Sequence, residues 1–362
     1  MPLPSIDPSR YEAQLNDKVA GFKSAFAPFD LPEPAVFKSA ASHYRLRAEF
    51  RIWHHGDELD FAMFDPENPK RPILMRDFPA ACQRICDAMP RLRAEVMAAE
   101  SLRKRLYAVD FLATLSGELL ITLIYHRKLD AEWDALARAL AEKMQAQLIG
   151  RSRGQKIILE RDWVLESFEL NGRPLKYQQI ENSFTQPNGG VNRQMLSWAC
   201  QQAAGLGGDL LELYCGNGNF TMALAPLFNK VLATEVSKSS VHSAQYNLAV
   251  NNVQNTQIAR LSSEEMSAAL SGRETFNRLA GIDIASHQFS TIFVDPPRSG
   301  LDPTTLELAR GFDNILYISC NPQTLLDNVA ALNTTHFIAA SAAFDQFPYT
   351  HHLESGLLLK RR

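Results

Sequence analysis

The sequence predicts an α/β protein of two domains: an N-terminal α+β domain over residues 1–180 and a C-terminal doubly wound α/β domain over residues 181–362. Three observations lead to this prediction. The chain has 362 residues, which is more than one domain usually holds. Alternation of polar and apolar residues recurs in the first half. Short, almost wholly apolar segments separated by helical periodicity fill the second half, as in buried parallel sheets.

The N-terminal domain begins with a helix and a hairpin. Helical spacing of apolar residues predicts an amphipathic helix over residues 11–26, and prolines at positions 28, 32 and 34 end it. Residues 43–54 alternate with period two, which predicts a strand with Arg45, Arg47 and Arg51 on its solvent face. Gly56-Asp57 is typical of a turn into a second strand containing Leu59, Phe61 and Met63, so a hairpin is expected.

The rest of this domain is predicted to alternate between helices and strands. The predicted elements are a helix near 78–98, strands near 105–115 and 118–126, a helix near 130–146, and strands near 155–160 and 164–169. This order indicates a mixed sheet with helices on one side.

The C-terminal domain contains five short apolar segments that are predicted to be strands. They span residues 209–213, 231–234, 291–294, 315–319 and 356–359. Helical segments between them predict parallel strands, and ligands of such sheets bind beyond the carboxyl ends of the strands.

The distribution of charge predicts that a polyanion binds to the first half of the chain. The net charge is −3, which excludes any argument from overall basicity. Residues 1–180 hold 26 Lys and Arg against 25 Asp and Glu, whereas residues 181–362 hold 11 against 15. The basic groups are therefore concentrated in the N-terminal domain.

The five cysteines are scattered and odd in number, which argues against a disulfide framework. Cys82 and Cys86 lie four apart without two further metal ligands, so they are predicted to be core residues and no metal is expected. The first residues lack the basic and apolar regions of a signal peptide, and no apolar stretch reaches the length of a membrane span. We therefore expect a cytoplasmic protein.

A glycine turn and a later carboxylate predict a nucleoside cofactor. The apolar segment ending at Leu213 runs into Gly216 and Gly218, but the third glycine of a dinucleotide fingerprint is missing. Glu235 ends the next strand, 23 residues after Glu212, a spacing that suits a carboxylate on ribose hydroxyls. A cofactor without a pyrophosphate points to S-adenosylmethionine. The alternative is that Glu235 caps the following helix.

Several motifs resemble the RNA uracil-5-methyltransferase family. They are Leu210-Leu-Glu-Leu-Tyr-Cys-Gly-Asn-Gly-Asn-Phe220, Asp295-Pro-Pro-Arg-Ser-Gly-Leu-Asp302, Ile318-Ser-Cys-Asn-Pro322 and Phe344-Asp-Gln-Phe-Pro-Tyr-Thr-His-His-Leu-Glu354, with residues 42–54 and 181–188. The resemblance implies an S-adenosylmethionine-dependent enzyme with a Rossmann-like catalytic domain and an RNA-binding N-terminal domain. It places the cofactor contacts on Gln186, Tyr214, Asn219, Glu235 and Asp295.

The chemistry of such an enzyme requires a thiolate and a base. Carbon 5 of uracil is a poor nucleophile until a thiolate adds to carbon 6, and a base must afterwards remove the proton on carbon 5. Cys320 follows an apolar strand and precedes Asn321-Pro322, a loop junction, although a buried structural cysteine is the alternative. The resemblance selects Glu354 as the base, and we interpret His351 and His352 as wall or capping residues.

An RNA substrate has to present the uridine flipped out of its stack. Candidates to cover the base or its gap are Phe184, Tyr107 and His126, each of which could instead be a core residue. Arg45, Arg47 and Arg51 are candidate phosphate contacts, unless they form an ion pair with Glu49. Within the family the resemblance is closest to the tRNA enzymes. This implies uridine 54 of the tRNA T loop, with the T-like loop of tmRNA as a further substrate, and a monomeric enzyme.

Rival functions are distinguished by particular residues. A ribosomal RNA uracil-5-methyltransferase commonly carries an extra barrel and a four-cysteine iron–sulfur site, whereas only Cys82 and Cys86 precede residue 200. A 5-methylcytosine enzyme usually places proline before its cysteine, and here Pro322 follows Cys320. Amino-group methyltransferases usually have an aromatic residue where this chain has Arg298. A protein that binds and refolds tRNA without methylating it would not need Cys320 or Glu354.

Overall fold

The computed structural model describes residues 6–56, 58–65 and 68–362. The chain forms two compact units, and neither is continuous in sequence. The first unit comprises the described parts of Met1–Pro8, with Ala40–Ser167 and Gln179–Gly189, and the second comprises Ser9–Ser39, Phe168–Gln178 and Gly190–Arg362. The units do not follow the predicted division at residue 180, because the first helix and strand pack with the C-terminal half. These are α1 (Tyr11–Phe26) and β1 (Ala35–Phe37).

The first unit contains a seven-stranded mixed sheet with the order β4-β3-β2-β5-β6-β7-β8. Its elements are β2 (Arg47–His55), β3 (Glu58–Asp65), β4 (Asn68–Met75), α2 (Gln83–Ala98), α3 (Glu100–Arg103), β5 (Leu106–Ala113), β6 (Leu119–Tyr125), α4 (Ala131–Met144), β7 (Gln147–Ser152) and β8 (Gln155–Ile158). All neighbouring strands are antiparallel except β6 and β7. Helices α2 and α4 contact each other and the sheet. The predicted α+β architecture is confirmed, and β4 and β7 are additions to it.

Strand β2 begins later than predicted. Arg45 precedes the strand and forms isolated bridges with Ala81 and Asn188. From Arg47 onward the predicted alternation holds, with Ala48, Phe50 and Ile52 buried. The antiparallel hairpin of β2 and β3 is confirmed, while Asp57 of its predicted turn lies outside the described residues.

A two-stranded hairpin follows, formed by β9 (Trp163–Leu170) and β10 (Arg173–Ile180). Its tip, Phe168–Gln178, belongs to the second unit. Only its first strand was predicted from the sequence.

The second unit contains an eight-stranded sheet with the order β1-β16-β17-β15-β14-β11-β12-β13. Its remaining elements are α5 (Gly189–Ala203), β11 (Asp209–Leu213), α6 (Asn219–Leu224), β12 (Val231–Thr234), α7 (Lys238–Val250), β13 (Thr256–Ala259), α8 (Ser263–Leu270), β14 (Phe289–Val294), α9 (Pro303–Ala309), β15 (Asn314–Ser319), α10 (Pro322–Leu332), β16 (His336–Phe344) and β17 (Glu354–Arg361). The predicted doubly wound fold is confirmed. Strand order reverses between β11 and β14, where ligands of such sheets bind.

The last strand corrects one prediction. Residues 356–359 were expected in a parallel strand, but β17 runs antiparallel to both β15 and β16. The apolar run is the same in either direction because both faces of the sheet are covered. In β15, Ile315 and Tyr317 enter one core, while Leu316 and Ile318 enter the other.

Each core joins the sheet to its own helices. Phe22 and Phe26 of α1 pack with Leu325 of α10 on one face, and Met195 and Trp198 of α5 pack on the opposite face. Among the described residues, no helix has the length and apolar character needed to cross a membrane.

Candidate active site

The carboxyl ends of four parallel strands meet at one edge of the sheet in the second unit. A glycine turn follows β11, Glu235 follows β12, Asp295 follows β14 and Cys320 follows β15. Neighbouring parallel strands end at the same edge, so the fold brings together residues that are up to about 100 positions apart in the sequence.

The glycine turn has a left-handed backbone at three positions. The φ angles are +61° at Tyr214, +57° at Gly216 and +83° at Gly218. A side chain at Gly218 would approach the Met222 methyl group to 2.7 Å, whereas no atom lies within 4 Å of a Cβ built on Gly216. The turn therefore leaves space for a ligand beside Gly216, and α6 begins directly after it at Asn219.

Glu235 is held against this turn by two backbone donors. Its Oε2 accepts a hydrogen bond from the Gly216 amide at 3.0 Å, and its Oε1 accepts one from the Ser237 amide at 2.8 Å. The cap of helix α7 is Ser237, whose hydroxyl accepts from the Ser240 amide. The alternative that Glu235 is the helix cap is therefore wrong. Each oxygen keeps a lone pair that can accept a ribose hydroxyl.

The other predicted cofactor residues differ in their surroundings. Tyr214 donates its hydroxyl to Ser263 Oγ at 2.7 Å. The side-chain amides of Asn219 and Asn192 donate hydrogen bonds to each other's Oδ1 at 2.9 and 3.0 Å, so the Asn219 side chain is already engaged within the protein. Gln186 belongs to the first unit. Carboxylates and a glycine turn fit a nucleoside attached to a cationic sulfonium group.

Cys320 lies at a rigid junction between β15 and α10. The backbone N–H of Asn321 donates to Ser319 Oγ at 3.2 Å. The side-chain Oδ1 of Asn321 accepts from the backbone N–H of Gln323 at the start of the helix. Asn321 Nδ2 also donates to the Arg298 carbonyl at 2.9 Å. Cys320 is half-buried, unlike the buried Cys215, so its thiol is not enclosed in a core.

The loop after Asp295 is fixed by Asn328, which no sequence motif indicated. Asn328 Oδ1 accepts from the Leu301 amide at 2.9 Å and from the Tyr317 hydroxyl at 2.7 Å. A side chain at Gly300 would approach the same oxygen to 2.9 Å. The only sequence signal was a polar residue on the buried face of α10.

The carboxyl groups of the buried Glu354 and the half-buried Asp295 act electrostatically on the Cys320 thiol. The pKa of Cys320 is raised to about 11, first by burial and then by Glu354 and Asp295, while Arg298 acts in the opposite direction. Glu354 is 3% exposed, and burial followed by the charge of Asp295 raises its pKa well above the usual value. Burial also raises the pKa of Asp295. The thiol and both carboxyl groups therefore hold their protons more firmly than they would in water.

Glu212 is a further buried acid, for which the sequence pattern predicted no role. It lies on β11, and its pKa is raised to about 8, first by burial and also by Asp295. His351 and His352 stand before Glu354 with ring centroids 4.0 Å apart. Burial, followed by His351 and Arg298, lowers the pKa of His352.

Of the remaining cysteines, Cys215 is buried, whereas Cys82, Cys86 and Cys200 are half-buried, so Cys82 and Cys86 lie at the edge of the core rather than within it as predicted. Cys82 is the residue before α2, and Cys86 lies in its first turns with burial raising its pKa to about 11. All five cysteines are free, and no group of three or more His, Cys, Asp or Glu residues suited to a metal occurs in the described parts of the chain.

Three of the predicted RNA contacts lie together in the first unit. The rings of Tyr107 and His126 stack with centroids 3.8 Å apart, and the Arg51 guanidinium lies 4.0 Å from the Tyr107 centroid. Arg51 and His126 are exposed and Tyr107 is half-buried, so these residues are not part of the core.

The other two arginines do not share that surface. Arg45 is half-buried and donates from Nε to the Arg47 carbonyl at 2.8 Å. Arg47 donates to the Ser183 carbonyl at 3.0 Å, next to Phe184, which is 70% exposed. The predicted three-arginine solvent face is therefore wrong, because the strand starts only at Arg47 and two of the guanidinium groups bond to backbone carbonyls.

Comparison with known proteins gives the family. The family model described as tRNA (Uracil-5-)-methyltransferase matches residues 10–362. The chain belongs to the tRNA (uracil-5-)-methyltransferase family.

Curated relatives of this tRNA (uracil-5-)-methyltransferase family match along the whole chain. The protein of Dechloromonas aromatica named tRNA/tmRNA (uracil-C(5))-methyltransferase is 67% identical over 362 residues, covering 100% of both chains. The protein of that name from Aromatoleum aromaticum is 66% identical over 362 residues, covering 100% of this chain and 98% of its own. The match therefore includes both units.

A solved structure shares the fold. The tRNA (uracil-54, C5)-methyltransferase of Pyrococcus abyssi, in complex with S-adenosyl-L-homocysteine, superposes with a TM-score of 0.72 at 20% identity, covering 96% of this chain and 83% of that one. The predicted family, its Rossmann-like methyltransferase fold and the use of S-adenosylmethionine are confirmed.

Proposed function

We propose that this enzyme methylates carbon 5 of uridine 54 in the T loop of tRNA, and the corresponding uridine in the T-like loop of tmRNA. The observation that carries the proposal is the half-buried Cys320 thiol at a strand end, beside the carboxyl groups of Glu354 and Asp295. The names of the curated relatives support tRNA and tmRNA as substrates. We expect a monomer that acts in the cytoplasm and recognises the T arm.

Cys320 starts the reaction as a nucleophile. Its sulfur, as the thiolate, adds to carbon 6 of the uracil, and the electron pair of the ring double bond moves onto carbon 5 and its neighbouring carbonyl. S-adenosylmethionine, when bound, supplies the electrophilic methyl group that carbon 5 then takes. The rigid junction from Ser319 to Gln323 holds the thiol at one position, which favours addition over unproductive encounters.

Glu354 ends the reaction as a base. After methyl transfer, carbon 5 carries both the methyl group and its original hydrogen. The ionised carboxylate takes this hydrogen as a proton, the double bond re-forms, and the Cys320 thiolate leaves. A carboxylate whose pKa is raised by burial and by Asp295 is a stronger base than one in water.

The cofactor residues are proposed on their position and chemistry. Glu235 would accept the ribose hydroxyls, Tyr214 and Asn219 line the glycine turn, and Asp295 lies between this turn and the thiol along the strand order. Gln186 is retained from the family resemblance. Phe184, Tyr107, His126 and Arg51 are proposed RNA contacts.

The site of methylation provides the first test. Unmodified tRNA transcripts incubated with the enzyme and S-adenosylmethionine should gain one methyl group, located at uridine 54 by nuclease digestion and mass spectrometry. A transcript with cytidine at position 54 is the control and should gain none. Methylation of a different uridine, or of ribosomal RNA in preference to tRNA, would contradict the proposal.

The stacked group on the first unit gives a prediction about salt dependence. Arg51→Gln should weaken tRNA binding about tenfold and reduce the slope of log affinity against log salt by about 1, because one phosphate contact is lost. Binding is measured by filter retention across a salt series. Arg138→Gln, on α4 in an exposed pair with Asp134, is the matched control and should keep the slope.

A second variant separates RNA binding from cofactor binding. Glu235→Gln should lose about tenfold in cofactor affinity, because charge-assisted bonds to the ribose hydroxyls are weakened, while tRNA binding stays unchanged.

The Arg51 prediction would be contradicted by an unaltered salt slope in Arg51→Gln. In that case Arg51 would only support the Tyr107 ring.

A further inference from the structure

The loop between β16 and β17, which leads into Glu354, is tied to helix α1 by buried polar contacts. Lys18 Nζ lies 2.7 Å from Asp345 Oδ1 and donates to the Phe347 carbonyl at 2.9 Å. Gln14 Nε2 donates to Asp345 Oδ2 at 2.9 Å. Gln14 Oε1 accepts from the Tyr349 amide at 3.3 Å. Two side chains of one helix thus hold three successive points of the loop.

The ion pair is removed from solvent. The side chains of Lys18 and Asp345 are 7% and 0% exposed. Burial lowers the pKa of Lys18, and Asp345 acts in the opposite direction. Exposed pairs of the same kind contribute little to stability, whereas a buried pair requires a fixed geometry to offset its loss of hydration. This pair therefore specifies where the loop lies.

Further hydrogen bonds hold the part of the loop between its contacts with α1 and Glu354. The Thr350 hydroxyl donates to the Phe347 carbonyl at 2.8 Å and accepts from the His352 amide at 3.2 Å. Tyr349 has a left-handed φ of +60°, a conformation that needs support from its surroundings in a non-glycine residue. Only Leu353, which is buried, separates His352 from Glu354.

We propose that Lys18 and Asp345, with Gln14, are positioning residues for proton abstraction by Glu354, an inference that rests on the proposed function. Glu354 is the first residue of β17 and pairs with Phe344, the last residue of β16. Its backbone direction is therefore set by the strand on one side and by the anchored loop on the other. Proton transfer depends steeply on the distance between carboxylate and carbon 5, whereas thiolate addition depends on the junction at Cys320.

The experiment separates the two steps. Lys18→Met should leave the single-turnover rate of methyl transfer within about threefold of the original, but slow release of methylated RNA about tenfold or more. The fraction of enzyme covalently bound to methyl-labelled RNA should rise accordingly on a denaturing gel. Lys23→Met is the matched control, because Lys23 lies on the same helix in a pair with Glu33 whose side chains are 45% and 76% exposed. It should show no such rise.

Two further variants keep the inference testable if Lys18→Met does not fold. Gln14→Leu removes two of the contacts and leaves the ion pair in place, so it should fold and show a smaller rise in covalent complex. Lys18→Met/Asp345→Leu replaces the buried charges by apolar groups, which such sites often tolerate. It should fold, as judged by its melting temperature, and still accumulate the complex. Normal release by folded Gln14→Leu and by folded double variant would overturn the inference.

Failure of this inference is distinguishable from failure of the proposed function. Glu354→Gln is assayed in parallel as the reference for slow release. If Glu354→Gln accumulates the covalent complex and the loop variants do not, only the positioning role is wrong. If Glu354→Gln itself releases RNA normally, the proposed role of Glu354 fails first.

Discussion

Cys320→Ala is expected to abolish methylation of tRNA. Without the thiolate, carbon 5 of the uracil does not become nucleophilic, so the loss should be at least about 10,000-fold. The measurement is transfer of labelled methyl from S-adenosylmethionine to a tRNA transcript in a single turnover. Cofactor affinity should stay unchanged, because the glycine turn and Glu235 lie at other strand ends.

A matched cysteine is available as the control. Cys200 is half-buried, and its thiol donates a hydrogen bond to the Ala223 carbonyl. Burial raises the pKa of Cys200 to about 11, a value similar to that of Cys320. Cys200→Ala should therefore keep full activity. Methylation by folded Cys320→Ala would move the nucleophile to another residue.

In the unmodified enzyme, methyl transfer should become faster from about pH 7 to about pH 9, because the raised pKa leaves Cys320 as the thiol at neutral pH.

Glu354→Gln is expected to trap the enzyme on its product. Thiolate addition and methyl transfer need no base at carbon 5, but the amide cannot accept the remaining proton. Release should slow about 100-fold to 10,000-fold, the range that a general base contributes. A band containing enzyme, RNA and labelled methyl should appear on a denaturing gel.

The double variant tests the chemical nature of this band. Cys320→Ala/Glu354→Gln has no sulfur to bond to carbon 6, so it should give no band. Normal turnover by Glu354→Gln would assign proton removal to another group, and the neighbouring Asp295 would be the first to examine. A band in the double variant would show that the attachment is not through Cys320.

The sequence predicted those parts of the fold whose pattern is local. Apolar runs identified β11, β12, β14 and β15 because these strands are buried on both faces. Strand β4 was missed because Pro72 and its charged neighbours are unusual in a strand, although an edge strand tolerates them. The direction of β17 is set by its partners, and an apolar run contains no information about direction.

The same limit applies to the site. Motifs indicated Cys320, Glu235 and Asp295, since residues at the ends of parallel strands converge whatever lies between them. Hydrogen bonds between distant segments were not predictable. Arg47 could have faced solvent on its pattern alone, and only the fold places the Ser183 carbonyl within reach of it. Lys18 likewise resembles any polar residue of an amphipathic helix until Asp345 is brought to it.

The pairing of Lys18 with Asp345 has a consequence for biosynthesis. The two residues are 327 positions apart, and β1 pairs with β16 over a similar separation. At about 5–20 residues per second, a ribosome needs roughly 15–65 seconds to add this length of chain. Until β15, α10, β16 and β17 have been made, the core that contains Phe22 and Phe26 of α1 is incomplete. The second unit can therefore close only late in translation, and the proposed site is incomplete in the nascent chain until then.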